Sequence, residues 1–135
     1  SFLDSCQLLA RVAERSGRSI FLMLLNLTER MGKEITDSEK LETQMEILKE
    51  VIRSSFRRGD LFTTYSKSQY MIILVGTEKE NCNKAFTRCL DRWKQTEGAK
   101  GELSYSVESL VKMLNPELSQ EGETPDWKRD SGINR

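Results

Sequence analysis

The nine residues Ile20 to Thr28, "IFLMLLNLT", constrain the fold more than any other stretch of this chain. Only Asn26 and Thr28 are polar, and the run lies between Gly17-Arg18-Ser19 and Glu29-Arg30. A membrane-spanning helix needs roughly 20 apolar residues, so the run is too short to cross a bilayer. Its near-continuous apolar character reads as a central β-strand buried on both faces.

The segments around it fall into place by period. "FLDSCQLLARVAERSG" carries Leu3, Cys6, Leu9 and Val12-Ala13 at helical spacing, and Gly17 closes it, which predicts a lead-in helix over 1–17. "ITDSEKLETQMEILKEVIRSSFRRG" opens on a capping-box pattern, Thr36-x-x-Glu39, and lines up Leu41, Met45, Leu48, Ile52 and Phe56 on one face. Two strands follow, Leu61–Tyr65 and Tyr70–Gly76. A helix with the stripe Cys82, Ala85-Phe86, Cys89-Leu90 and Trp93 comes next. The last strand alternates Leu103, Tyr105 and Val107 against Ser104, Ser106 and Glu108. The order is helix, then β-α-β-β-α-β. It predicts an α+β, ferredoxin-like antiparallel sheet with helices packed on one face and an extra N-terminal helix.

Length and charge narrow the function. One domain over 1–112 suits a chain of 135 residues, followed by a flexible polar tail over 113–135 that holds both prolines and Trp127. With 21 basic and 21 acidic residues, nothing global draws the chain to nucleic acid or to a membrane surface. There is no histidine, and Cys6, Cys82 and Cys89 form no CxxC pair, so a zinc site is not expected and the cysteines read as core. Unpaired cysteines suit a reducing, cytoplasmic setting. The start at Ser1-Phe2, in what reads as mid-helix, suggests a piece of a larger protein.

The turn between the two hairpin strands, Ser66-Lys67-Ser68-Gln69, is unusual. Hairpin turns favour Gly, Asn or Asp, because their central residues often need positive φ. This one has none of them, nor any acid. The predicted pairing brings the end of "FLMLLNLTE" beside the turn, so two polar loops meet over one end of the sheet.

These residues carry a resemblance. Arg18 to about Leu110 resembles the GGDEF domain, the diguanylate cyclase module, with its chemistry removed. In that family a strand ends in D-x-D-x-F-K, and R-x-x-D precedes the G-G-[DE]-E-F turn by five residues. Here Arg57-Arg58-Gly59-Asp60 stands at R-x-x-D, Leu61 to Tyr65 are the spacer, and Ser66-Lys67-Ser68-Gln69-Tyr70 occupies the signature turn. The strand-end Asp falls on Asn26, the second on Thr28, and the Phe on Arg30; only Tyr70 keeps its counterpart's character. Joining two GTP molecules needs Mg²⁺ on carboxylate and phosphate oxygens, and glycines that let backbone amides approach the triphosphate. The resemblance therefore implies no catalytic residue, no metal ligand and no cofactor in this chain.

"RSGRSIFLMLLNL", "RRGDLFTTYSKSQYMIILVGTEKEN" and "ELSYSVESL" are similar, more specifically, to the GGDEF-like segment at the C-terminus of some SARP-type bacterial transcriptional activators. That similarity implies a regulatory or interaction module whose partners are other domains of the parent regulator or a second copy, with no direct DNA contact and no membrane. A second implied reading is a cyclic di-GMP receptor at Arg57, Arg58 and Asp60, where a guanidinium would fork onto a phosphate or guanine edge. The bland reading of the same residues is a pair of helix-terminal cations and a turn-closing Asp. A small-molecule sensor of the ACT type or an RNA-binding RRM shares the predicted fold. The RRM lacks support, because Phe21 with Met71 or Ile73 does not supply its stacking pair.

Overall fold

The computed structural model describes residues 2–114, with residues 2, 3, 12–14 and 16 as backbone alone. In chain order the elements are α1 (Phe2–Ser16), β1 (Ile20–Thr28), a 3-10 turn (Arg30–Gly32), α2 (Ser38–Ser55), β2 (Leu61–Ser66), β3 (Gln69–Val75), α3 (Lys79–Gln95), β4 (Glu102–Ser109) and α4 (Leu110–Leu114). The four strands form one antiparallel sheet in the order β2-β3-β1-β4. The α+β class and the ferredoxin-like strand order match the expectation, and the apolar run is indeed a central strand.

A strand buried on both faces needs cover on both, and here the expectation of helices on one face is corrected. On one face Met23, Leu25, Leu27, Ile72 and Leu74 pack against α2 and α3, with Leu48, Ile52, Phe86 and Trp93. On the other, Ile20, Leu22, Leu24, Met71 and Ile73 are covered by Cys6 and Ala10 of α1 and Leu110 of α4. Alternation along β1 dictates this, since both sets of its side chains are apolar and neither can be left to water. Leu48 is fully buried, and a core Leu→Ala truncation of this kind costs roughly 2–5 kcal/mol.

Local details depart from the sequence expectation in small ways. The α2 cap is Asp37, one residue after Thr36; its carboxylate accepts from the backbone N–H of Glu39 and Lys40 at 3.1 and 3.2 Å. No helix was expected after the last strand, yet α4 runs directly out of β4 and ends at Leu114, two residues past the expected domain end. The expected tail with Trp127 otherwise lies outside the described residues.

One buried polar group fixes the β4 approach. The Gln44 side chain donates to Gly98 O at 3.1 Å and accepts from Lys100 N at 2.6 Å, tying the α3–β4 loop to α2. Trp93 Nε1 donates to Gly101 O at 3.1 Å beside it. Burying these groups unpaired would be costly, so the pairings define where β4 begins.

Candidate functional site

The hairpin turn solves its backbone problem without glycine. Ser66 and Gln69 pair across it, leaving Lys67 and Ser68 as the two turn residues. Neither has positive φ; among the described non-glycine residues only Met31 does. Ordinary turns of this hand splay hairpin strands, and here a register shift between Thr64 and Ser66 accompanies the turn and leaves Tyr65 as an extra residue. The Ser66 hydroxyl also accepts from Ser68 N at 3.4 Å, a side-chain mimic of a turn bond.

From this turn a chain of polar side chains crosses the sheet. Ser66 Oγ donates to Gln69 Oε1 at 2.7 Å, and Gln69 Nε2 donates to Asn26 Oδ1 at 2.7 Å. Asn26 Nδ2 in turn donates to Ser104 Oγ at 3.3 Å. The register explains the row: Asn26 sits opposite Gln69 on one side and Ser104 on the other. Leu27 N donates to Ser68 O at 3.0 Å, fastening the turn to the end of β1. The strand end and turn expected to converge do so. Ser104 was not singled out; its polar position in the β4 alternation was the available signal, but the register that brings it to Asn26 is tertiary.

Asn26, Gln69 and Ser104 of this row floor an open cleft of roughly 660 Å³, rimmed by Thr28, Ser68, Glu34 and Glu102. Magnesium takes near-octahedral oxygen ligands and is anchored on proteins by carboxylates. The donors where strand end and turn meet are an amide, hydroxyls and a second amide already bonded to the first, and they do not fit that ion. Of the neighbouring acids, Glu29 pairs with Lys40 at 3.4 Å and Asp37 caps α2, while Glu34 and Glu102 stand apart from the row on the cleft rim. Among the described residues no three His, Cys, Asp or Glu side chains come together. Lys67 stands exposed at the tip and lines a second cleft of roughly 400 Å³ with Ser66, Tyr70, Leu41 and Met45. The Tyr70 ring is buried and its hydroxyl donates to Met45 O at 2.9 Å, so it anchors the hairpin to α2.

The R-x-x-D residues lie at the opposite end of β3. Asp60 closes a turn on Arg57: Asp60 N donates to Arg57 O at 3.0 Å, and the carboxylate accepts from Arg57 N at 3.1 Å. Its other oxygen accepts from Val75 N at 3.2 Å, and the side chain is only 4% exposed. The Arg57 side chain is 58% exposed; its guanidinium lies 3.7 Å from Asp60 and donates to Val75 O and the Thr77 hydroxyl. Arg58 is exposed and makes no hydrogen bond or ion pair among the described residues. Arg57, Lys84 and Arg88 bring three cations to a cleft of roughly 300 Å³, with Asp60 and Glu78 on its wall.

This architecture is shared with solved structures. A diguanylate cyclase protein from Thermotoga maritima superposes with a TM-score of 0.61 at 14% identity, over 78% of this chain and 76% of that one. The GGDEF domain of DgcB from Caulobacter crescentus, solved with c-di-GMP, gives 0.62 at 11% identity over 84% and 75%. The fold is that of a GGDEF domain. Diguanylate cyclase SiaD from Pseudomonas aeruginosa, solved with its activator SiaC, also matches this GGDEF-like chain, with a TM-score of 0.61 at 15% identity. That match covers 99% of this chain and 49% of SiaD. No protein-family model and no curated protein matches the sequence. Among the described residues, no helix is long and apolar enough to cross a membrane.

Proposed function

We propose that this chain is a non-catalytic regulatory or interaction domain of a bacterial transcriptional regulator, built on a GGDEF-like scaffold. It acts in the cytoplasm through other domains of the parent protein or through a second copy, without touching DNA itself. One observation carries the reading. The residues where β1 meets the hairpin turn spend their polar atoms on one another, in the row Ser66–Gln69–Asn26–Ser104, and none is an acid. A site that must capture Mg²⁺ and a triphosphate keeps carboxylates and free backbone amides at that place. Here the same place is a closed hydrogen-bonded seam. The transcriptional context rests on the SARP-type similarity of the sequence.

A second reading is favoured by the cationic cleft. Arg57, Lys84 and Arg88 line one concavity, and the Arg57 side chain is more than half exposed, so an anionic nucleotide such as cyclic di-GMP is its natural ligand class. Asp60 is committed to two backbone amides, so recognition would fall to the arginines.

Isothermal titration with cyclic di-GMP, and separately with GTP plus Mg²⁺, tests both. Silence with both ligands is the result expected of an interaction domain. Micromolar heat with cyclic di-GMP that is lost in Arg57→Ala replaces that reading with the receptor. Binding of GTP only when Mg²⁺ is present contradicts the seam as described.

A further inference from the structure

The sheet has two edges, and they are built differently. The β4 edge carries Glu102 and Glu108 and leads straight into α4. The β2 edge, Leu61 to Ser66, carries no charge and no proline, and its outer side meets no other strand among the described residues. Charges, prolines, bulges and covering elements are the usual protections of a sheet edge; among the described residues β2 lacks charge, proline and cover, and its one bulge is confined to Tyr65 at the turn end. It also holds one of the three large apolar side chains most exposed among the described residues, Leu61 at 51%.

We propose that β2 pairs antiparallel with β2 of a second copy of this chain, joining two four-stranded sheets into one. The choice of a second copy rests on how β2 matches its own reverse. A two-fold axis perpendicular to the sheet at Thr63 sets Thr63 opposite its own copy and brings Leu61 near the second copy's Tyr65, the bulge residue, on the α1 side of the sheet. On the α2 side it places Phe62 opposite the second copy's Thr64. Aliphatic–aromatic, aromatic–Thr and Thr–Thr are the favourable classes of cross-strand pair, and no like charges meet between 61 and 65. The exposed Leu61 is thereby covered by a ring. The two-fold closes the assembly at two copies, because the remaining edges are the carboxylate-bearing β4 strands, which repel one another. This interface is independent of the nucleotide question, since it uses neither the Ser66–Ser104 row nor the Arg57 cleft.

The test uses the whole chain. Light scattering during gel filtration, at rising concentration into the high micromolar range, is expected to show a species of twice the 15.6 kDa chain mass. Thr63→Lys, which sets two like charges face to face on the axis, is expected to weaken that association by about tenfold or more with an unchanged circular dichroism spectrum. Thr63→Cys provides the second arm. Opposed residues in an antiparallel pair lie about 4.5–5.5 Å apart at Cα, within disulfide range, and the three native cysteines are buried and free. Mild oxidation is expected to link Thr63→Cys chains at least about tenfold faster than Glu102→Cys chains on the other edge. The proposal holds if the disulfide forms with that preference. It is overturned if the wild-type chain stays monomeric throughout, or if the two cysteine variants cross-link alike.

Discussion

Gln69 Nε2 donates to Asn26 Oδ1 at 2.7 Å, joining the first residue of β3 to the far end of β1. This is the central bond of a four-residue polar row, and neighbours on both sides depend on it. Gln69→Leu leaves Asn26 Oδ1 and the Ser66 hydroxyl without their partner. The expected cost is about 1–2 kcal/mol, a fall of several degrees in the melting temperature. A double-mutant cycle with Asn26→Ala should return a coupling of about 0.5–1.5 kcal/mol, and additive effects would show that the pair is not formed.

Asp60 does structural work whatever binds nearby. Its carboxylate serves two backbone N–H groups, of Arg57 and Val75, from a position 4% exposed. Asp60→Ala is expected to lower unfolding free energy by about 2–3 kcal/mol in denaturant titration. Arg57→Ala, whose side chain is mostly exposed, should cost under about 1 kcal/mol. Equal effects from the two would contradict the geometry.

Much of this fold was legible because its signals are local. The double-sided burial of β1 follows from "IFLMLLNLT", and the α3 stripe through Cys82, Phe86, Cys89 and Trp93 from helical spacing. α1 was legible as a helix, but its place over the second face of the sheet was not, and α4 was missed because five residues offer too few periods to read. The cap moved from Thr36 to Asp37 because both are good N-cap residues, one position apart, and only tertiary placement chooses between them. The site was half legible. That the β1 end and the turn converge follows from strand order. That Ser104 completes the row depends on β1–β4 register, which no local signal encodes.

Glycine at 101 is required by contact and by backbone angle together. It sits at φ +106°, and a Cβ there would meet Thr28 O at 2.8 Å, where β4 begins to pair with β1. Gly101→Ala is expected to destabilise by about 2–4 kcal/mol in thermal or chemical unfolding. Gly59→Ala, where a Cβ meets nothing within 4 Å, should be near neutral.

Alkaline pH should loosen the core in a defined window. Burial pushes the Cys89 thiol up from 9.0 to about 11, and raises Cys6, Cys82, Tyr65 and Tyr70 as well. A raised acid is favoured neutral in the folded state. The stabilisation is therefore complete below the unfolded value near 9.0 and is lost as pH climbs toward 11. Melting temperature is expected to stay level up to about pH 8.5 and then fall, with a shallower fall in Cys89→Ala. A fall of the same steepness in that variant would remove Cys89 from the account.

The most direct test of a non-catalytic GGDEF-like domain is product formation. Incubating the purified chain with GTP and Mg²⁺, at concentrations high enough to populate a dimer, and resolving nucleotides by chromatography should show no cyclic di-GMP above a protein-free control. Turnover that grows with protein concentration and disappears in a Gln69→Leu, Asn26→Ala double variant would show that the polar row is a working site and would contradict the account.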